Sequence, residues 1–228
     1  MQHTSKLVVL SIIKELQPKS ILDVPSGDGW LARELKGSVS IDGIDLFQSN
    51  NQLYRNWETL NLDDGIPKNF SHYDCITSCE GLEHFGNPEL FLRTAYRSLN
   101  INGTLLITTP NVWHPQARLQ YMLRGFFPGF PNLAGKIKRG DHMHIIPWSF
   151  PQLYIFFKLS GFSEIRLHNE PMSKPKHIYE RLFALPQFIY CKRKSSKATS
   201  NEEKNFWESA VSKESLFGRH LIVTAVKL

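Results

Sequence analysis

The sequence has few cysteines and no long hydrophobic run. Cys75, Cys79 and Cys191 are an odd number of thiols without the spacing of metal ligands, so neither a disulfide framework nor a zinc site is expected. No run approaches the ~18 consecutive apolar residues that a membrane-spanning helix needs. We therefore expect a protein of the reducing cytoplasm.

Neither sign of charge dominates the composition. The formal net charge of +6 favours anionic partners, but it is too small to indicate nucleic acid or lipid by itself. Hydrophobic residues make up 41% of the chain and charged residues 21%, which are ordinary values for a folded protein and argue against disorder. With 228 residues, the chain is predicted to form a single α/β domain with insertions.

The N-terminal residues 1–19 contain a short apolar run that could be taken for a signal peptide. A lysine and a glutamate interrupt this run early, and no small-residue cleavage site follows it. Val9, Ile13 and Leu16 lie on one helical face before Pro18 ends the pattern. These features predict a first helix that packs on the domain.

Strand-like and helix-like segments alternate from residue 20 to residue 110. This alternation predicts a parallel sheet with helices on both faces, in which ligands bind at the carboxyl ends of the strands. The helical stretches include 87–100. The predicted strands are 20–24, 38–45, 57–62, 73–79 and 103–109.

The second half of the sequence is less regular. Glycine, proline and aromatic residues are concentrated in 124–140, which predicts a loop inside a lid insertion at 112–148. The pattern further predicts a helix at 149–162, strands at 163–170 and 219–228, and a helix from residue 176 that ends at Pro186 and is followed by a polar charged linker.

The segment ILDVPSGDGW, residues 21–30, indicates a ligand close to the backbone. Gly27 and Gly29 permit a tight turn, although the pattern G-x-G-x-x-A alone is also compatible with a dinucleotide. Asp28 would then face a pyrophosphate of like charge at close range, which is unfavourable. A zwitterionic or cationic ligand removes this objection, and Asp23 favours the same kind of ligand.

Two stretches resemble class I S-adenosylmethionine-dependent methyltransferases. LDVPSGDGWLARELKG (22–37) is similar to the first motif of that family, and YDCITSCEGLEHFGNPELFLRTAYRSLNINGTLLITTPN (73–111) is similar to its run from the fourth to the fifth strand. A looser likeness to small-molecule and surface-sugar enzymes continues to about residue 168. Residues 170–218 resemble no known family and are treated as a variable insertion.

The resemblance implies a fold, a cofactor and a set of binding residues. The fold is a Rossmann-like, doubly wound, mostly parallel seven-stranded sheet whose last strand is antiparallel, and the cofactor is S-adenosyl-L-methionine. Either Asn61 or Asp63 would meet the adenine, and Glu80 would lie near the transferred methyl group. The remaining implied residues are Asp23, Pro25, Gly27, Asp28 and Gly29 in the first loop, and Asp45 and Leu46 at the ribose.

Several of these acids have simpler explanations. Asp45 is also suited to a turn or a helix cap, and Asp63 in LDDG to a turn. For Asp28 the simpler explanation is that it caps the following helix and has no other role.

Transfer to a hydroxyl also needs a proton acceptor, for which histidine has a suitable pKa. The candidates are His84, His114, His142 and His144, with Asp141 beside the last two. A structural hydrogen bond is the alternative for His84, and a satisfied loop contact is the alternative for His144. The HMH spacing at 142–144 could bind a metal, but no third ligand accompanies it, so no metal site is predicted.

The acceptor is expected between the lid and part of 170–215. Aromatic residues of RGFFPGFPN, 124–132, would cover an apolar or sugar-like substrate or form a small satellite core. Residues 178–197 join aromatics to Lys192, Arg193, Lys194 and Lys197, which favours either peripheral contact with an anionic membrane on its inner face or a packed helix with a solvated charge run.

Three functions follow from these patterns. The first is an S-adenosylmethionine-dependent methyltransferase that acts on a small molecule or on a glycan or lipid-linked intermediate, at oxygen, nitrogen or carbon. The second is an RNA methyltransferase. It is disfavoured because CEGLEH, not an Asn/Asp-Pro-Pro-aromatic turn, follows the fourth strand and because no basic stripe lies outside 191–197. The third is a non-catalytic binding subunit, which would not need the cofactor motifs.

Overall fold

The computed structural model describes residues 3–47, 51–129, 144, 146–171 and 173–228. The strands are β1 (Ser20–Asp23), β2 (Ser40–Asp45), β3 (Trp57–Thr59), β4 (Tyr73–Cys79), β5 (Leu99–Pro110), β6 (Ser163–Leu167) and β7 (His220–Val226). The helices are α1 (His3–Leu16), α2 (Trp30–Glu34), α3 (Pro88–Ser98), α4 (Pro115–Arg124), α5 (Phe150–Leu159), α6 (Ile178–Ser195), α7 (Asn201–Ala210) and α8 (Lys213–Phe217).

The seven strands form one mixed sheet in the order β3-β2-β1-β4-β5-β7-β6. Strands β1 to β5 run parallel to one another, and β7 is antiparallel to both β5 and β6. The predicted Rossmann-like sheet with an antiparallel last strand is therefore confirmed. The strand order reverses between β1 and β4, and at this switch point the carboxyl ends of neighbouring strands leave a crevice.

The central strands are buried on both faces because successive side chains point to opposite sides of the sheet. On one side Ile21 of β1 shares a buried cluster with Val9 of α1. On the other side Leu22 shares a larger cluster with Phe91 of α3 and Leu153 of α5. The hydrophobic runs of β1 and β4 therefore hold helices on both faces and fix the edge where the loops gather.

The helix boundaries predicted for the C-terminal part were wrong. Helix α6 passes through Pro186 and continues to Ser195, because a carbonyl that loses its partner to proline on an exposed helix surface can bond to water instead. The predicted linker contains α7, whose N-cap Ser200 accepts a hydrogen bond from the Glu203 backbone N–H at 3.1 Å. A serine three positions before a glutamate is a capping signal that the prediction overlooked.

Two further segments differ from the prediction. Strand β3 ends at Thr59, short of residue 62, because Asn61 caps a short 3-10 helix at Leu62–Asp64. Within the predicted lid, Pro115–Arg124 forms the helix α4. In the part of the chain that the structure describes, no helix is long and apolar enough to span a bilayer.

Candidate functional site

The loop after β1 is open where the cofactor motif predicts a ligand. Gly27 and Gly29 have φ values of +54° and +73°, a conformation that residues with a Cβ seldom adopt. Among the described residues other than its two chain neighbours, no atom lies within 4 Å of the position that a Cβ would take on Gly27. A ligand can therefore reach the backbone of this loop directly.

Asp45 at the end of β2 holds this loop in place. Its Oδ2 accepts a hydrogen bond from the Gly27 N–H at 2.8 Å, and its Oδ1 accepts one from the Phe47 N–H at 2.9 Å. The bond to Phe47 fits the simpler explanation of a turn residue, but the bond to Gly27 joins two separate loops. Each oxygen keeps a second lone pair that could accept from a ribose hydroxyl. Leu46 and Phe47 are partly exposed beside it.

The carboxylate of Asp23 accepts hydrogen bonds from two side chains of the protein. Its Oδ1 accepts from the Thr77 hydroxyl at 2.9 Å and its Oδ2 from the Tyr54 hydroxyl at 3.0 Å. Burial raises the pKa of Asp23 to about 7, against the lowering effect of these two hydrogen bonds. The side chain thus joins β1 to β4 beneath the loop, and direct contact with the cofactor stays a prediction.

Asp28 contacts the start of the next helix, although the N-cap of that helix is Gly29. Its Oδ1 accepts from the Trp30 N–H at 3.2 Å, and its Oδ2 pairs with Arg33 Nη2 at 2.8 Å. The side chain is exposed, so this ion pair contributes little to stability. The prediction that Asp28 contacts the cofactor stays untested.

Asn61 and Asp63 both have structural partners. Asn61 Oδ1 accepts from the Asp63 N–H at 3.2 Å, while Asn61 Nδ2 is buried and has no hydrogen-bond partner. Asp63 Oδ1 accepts from the Gly86 N–H at 2.7 Å. The unpartnered amide of Asn61 is a donor that the ring nitrogens of a purine could use.

Glu80 directly follows β4 at the switch point. It has a φ of +55°, its Oε1 accepts from the Thr108 hydroxyl at 3.0 Å, and its Oε2 lies 3.5 Å from His220 Nε2. Burial alone would raise the pKa of Glu80, but the hydrogen bond and charge of His220 outweigh it and lower the pKa. The predicted place of Glu80 near the transferred methyl group stays untested.

The Glu80 turn packs directly on the glycine loop. A Cβ on Gly81 would overlap the ring of Pro25, so this position requires glycine. Pro25 therefore acts in the structure as a packing contact between the ends of β1 and β4, whereas its predicted contact with the cofactor stays untested.

Glu83, His84 and His144 meet beside this turn. Their ligand atoms all lie within 4.8 Å of one another, and the two imidazole rings pack edge to face with centroids 5.0 Å apart. Glu83 is 2% exposed. Its Oε2 accepts from the Thr109 hydroxyl at 2.9 Å, whereas its Oε1 is buried without a hydrogen bond. Burial, with the nearby charge of Glu80, raises the pKa of Glu83 to about 8.

Neither Glu83 nor the cluster as a whole was predicted from the sequence. No third ligand with suitable spacing lies near His142 and His144 along the chain, and the partners of His144 instead follow β4, far away in sequence. The signal that was present is the second acid of EGLEH, since a glutamate in a run that the fold buries needs a partner. His142 and Asp141 lie outside the described residues.

His144 is held at the rim of an apolar cavity. Its backbone N–H donates to the Gly129 carbonyl at 3.2 Å, and a Cβ on Gly129 would overlap its imidazole. The cavity has a volume of about 310 Å³ and is lined by His144 together with Tyr121, Phe126 and Phe127. Tyr121 and Phe127 stack at 4.2 Å. Aromatic side chains therefore form much of the wall of this cavity.

The remaining candidate, His114, caps α4. Its Nδ1 accepts from the Ala117 N–H at 3.2 Å, and the side chain also contacts Arg219. Burial, followed by the charges of Arg219 and Arg118, lowers the pKa of His114 to about 3. These contacts describe a structural residue that stays neutral.

Comparison with known proteins gives a consistent result. A family model described as "Methyltransferase domain" matches residues 2–151. The chain is 28% identical over 143 residues to a ubiquinone biosynthesis O-methyltransferase of Rattus norvegicus, covering 57% of this chain and 40% of that protein. A ubiquinone biosynthesis O-methyltransferase of Hydrogenovibrio crunogenus is 28% identical over 156 residues, covering 62% of each chain. The chain thus spans about two fifths of the rat relative.

The solved structures agree on the fold. An S-adenosylmethionine-dependent methyltransferase of Archaeoglobus fulgidus has a TM-score of 0.59 at 14% identity, with 98% of this chain and 93% of that chain covered. At this identity the likeness concerns the fold alone.

Proposed function

This chain belongs to the methyltransferase-domain family, whose donor is S-adenosylmethionine, and from this premise we propose that it methylates a hydroxyl oxygen of a small, flat, apolar acceptor. The observation that carries the proposal is the Glu83, His84 and His144 cluster, whose His144 also lines the aromatic cavity. The O-methyltransferase relatives support the choice of oxygen.

The residues of the crevice fit the donor. The open backbone at Gly27 can take the zwitterionic methionine end, and Asp45 has lone pairs for two ribose hydroxyls. The side-chain Nδ2 of Asn61, which has no hydrogen-bond partner among the described residues, can donate to the adenine ring. The ionised Glu80 lies on the same edge of the sheet, where its charge favours the sulfonium over the neutral thioether product.

Transfer to oxygen breaks the bond between sulfur and the methyl carbon and forms a bond between that carbon and the acceptor oxygen. The acceptor must lose its hydroxyl proton, and it must lie in line with the breaking bond. The aromatic walls of the cavity would orient a flat acceptor. The cluster at the rim would then meet the hydroxyl rather than the apolar part of the molecule.

We further propose that Glu83, His84 and His144 bind a divalent cation that contacts this oxygen, which revises the expectation of no metal site. One carboxylate and two imidazoles are a ligand set that suits zinc, manganese or iron, and small side-chain rotations would bring the three groups to coordinating distance. A cation would also satisfy the buried Oε1 of Glu83. It would lower the pKa of a bound hydroxyl, so the proton could pass to solvent.

The test measures methyl transfer to a panel of phenols, catechols and nucleosides, with the product identified by mass spectrometry. Calorimetry with S-adenosylmethionine, S-adenosylhomocysteine and NAD establishes the donor independently of the acceptor. We expect an O-methylated phenol or catechol and binding of the two sulfur ligands. Methylated nucleosides, with phenols and catechols unchanged, would instead favour an RNA methyltransferase.

The metal proposal has its own test. After chelation and desalting, turnover should fall at least tenfold and return with one divalent cation, and calorimetry of that cation should give one site that Glu83→Gln weakens. The matched control is Glu89→Gln, an exposed acid on α3, which should bind the cation as the wild type does. Turnover that survives chelation but is lost in His144→Ala would identify His144 as a metal-free general base.

A further inference from the structure

Helix α6 contacts the domain through a narrow stripe. Its buried residues are Glu180, Ala184 and Cys191, which recur at helical spacing on one face. Two of these side chains are small, so the helix lies against the domain on a thin strip and leaves most of its circumference uncovered.

The uncovered side carries an aliphatic row. Ile178, Leu182, Leu185 and Ile189 are 82%, 66%, 49% and 41% exposed. At about 100° per residue these four positions fall within a narrow sector turned away from the buried stripe. Four exposed aliphatic side chains in register are more than the scattered apolar residues of an ordinary surface.

Basic residues flank this row on both sides. By the same helical spacing, Arg181 and Lys192 lie on one side of the row and Arg193 on the other. No described residue forms an ion pair with any of the three. The one acid of α6, Glu180, is buried against Arg219 at 2.8 Å. The exposed face of α6 thus combines aliphatic and purely cationic groups.

Helix α4 packs beside α6. The two helices contact each other, and the Trp113 indole before α4 donates to Gln187 of α6. Helix α4 contains no acid, and its last turn carries Tyr121, Met122 and Leu123, which are all exposed. Tyr121 also lines the aromatic cavity.

We propose that this exposed face of α6 docks on an anionic lipid bilayer with α6 lying in the plane of the membrane. An aliphatic row between two cationic rows matches the layering of acyl chains beneath anionic headgroups. A second copy of the chain fits less well, because a symmetric contact would place the cationic rows of both copies against each other.

Co-sedimentation of the whole chain with vesicles tests this docking without cofactor or acceptor, so its result is separate from that of the activity assay. The chain should bind vesicles of mixed phosphatidylglycerol and phosphatidylcholine and release them as salt is raised. Leu182→Glu should weaken binding at least tenfold. Arg193→Glu should weaken it about twenty-fivefold, since each cation contributes about fivefold.

Two matched variants are the controls. Leu159→Glu changes a leucine of α5 that is 75% exposed, and Lys68→Glu reverses a lysine near the amino end of β4; both should bind vesicles as the wild type does. Circular dichroism melts check that each variant is folded. Equal binding to vesicles of phosphatidylcholine alone, or unchanged binding by Leu182→Glu, would overturn the proposal. So would a dimer that Leu182→Glu dissociates while vesicles do not bind.

Discussion

The carboxylate of Asp45 tests the cofactor site most directly, because it is predicted to accept from both ribose hydroxyls while it holds Gly27. A hydrogen bond to a charged group contributes about 1.5–3 kcal/mol. Two such bonds are worth about 3–6 kcal/mol, so Asp45→Ala should raise the dissociation constant for S-adenosylhomocysteine about 10²–10⁴-fold. The measurement is calorimetric titration of the folded variant.

Two further variants make this result specific. Asp45→Asn keeps one acceptor oxygen but loses the charge, so it should lie between wild type and Asp45→Ala, at roughly a tenfold to hundredfold loss. Glu89→Ala removes an exposed carboxylate of α3 outside the predicted cofactor site, where it pairs with Arg93, and should change affinity less than about threefold. Wild-type affinity in a folded Asp45→Ala variant would show that the ribose site lies elsewhere.

Three other predictions concern stability. Arg219→Ala should lower the free energy of unfolding by about 3 kcal/mol in urea titration, because it leaves Glu180 buried without its ion-pair partner; a loss below 1 kcal/mol would contradict this. Leu153→Ala should cost about 2–5 kcal/mol in the same assay, since this side chain is fully buried. The folded-state pKa of Asp23, about 7, lies above the ordinary value, so its burial should cost stability progressively as the pH rises from about 4 to 7. Asp23→Asn should therefore flatten the stability profile in that window, and an unchanged profile would contradict the raised pKa.

The sequence was sufficient for features that depend on neighbouring residues. Strand β4 has the predicted bounds, 73–79, because an apolar run between turn residues specifies a buried strand locally. The predicted helix end at Pro186 was wrong because a helix tolerates proline on a solvent-exposed surface. That exposure depends on tertiary packing, which the local sequence does not specify. Glu83 and His144 could not be paired from sequence, because their proximity depends on how the chain after α4 returns to the end of β4.

One buried contact connects the proposed membrane face to the cofactor crevice. Arg219 begins the turn into β7, where it pairs with Glu180 on the buried stripe of α6 and contacts His114, the cap of α4. The next residue, His220, lies 3.5 Å from Glu80 beside the proposed methyl site. Both helices are thus attached to the strand that orients Glu80. A bilayer that holds α6 would therefore also hold the crevice at a fixed orientation to the membrane surface.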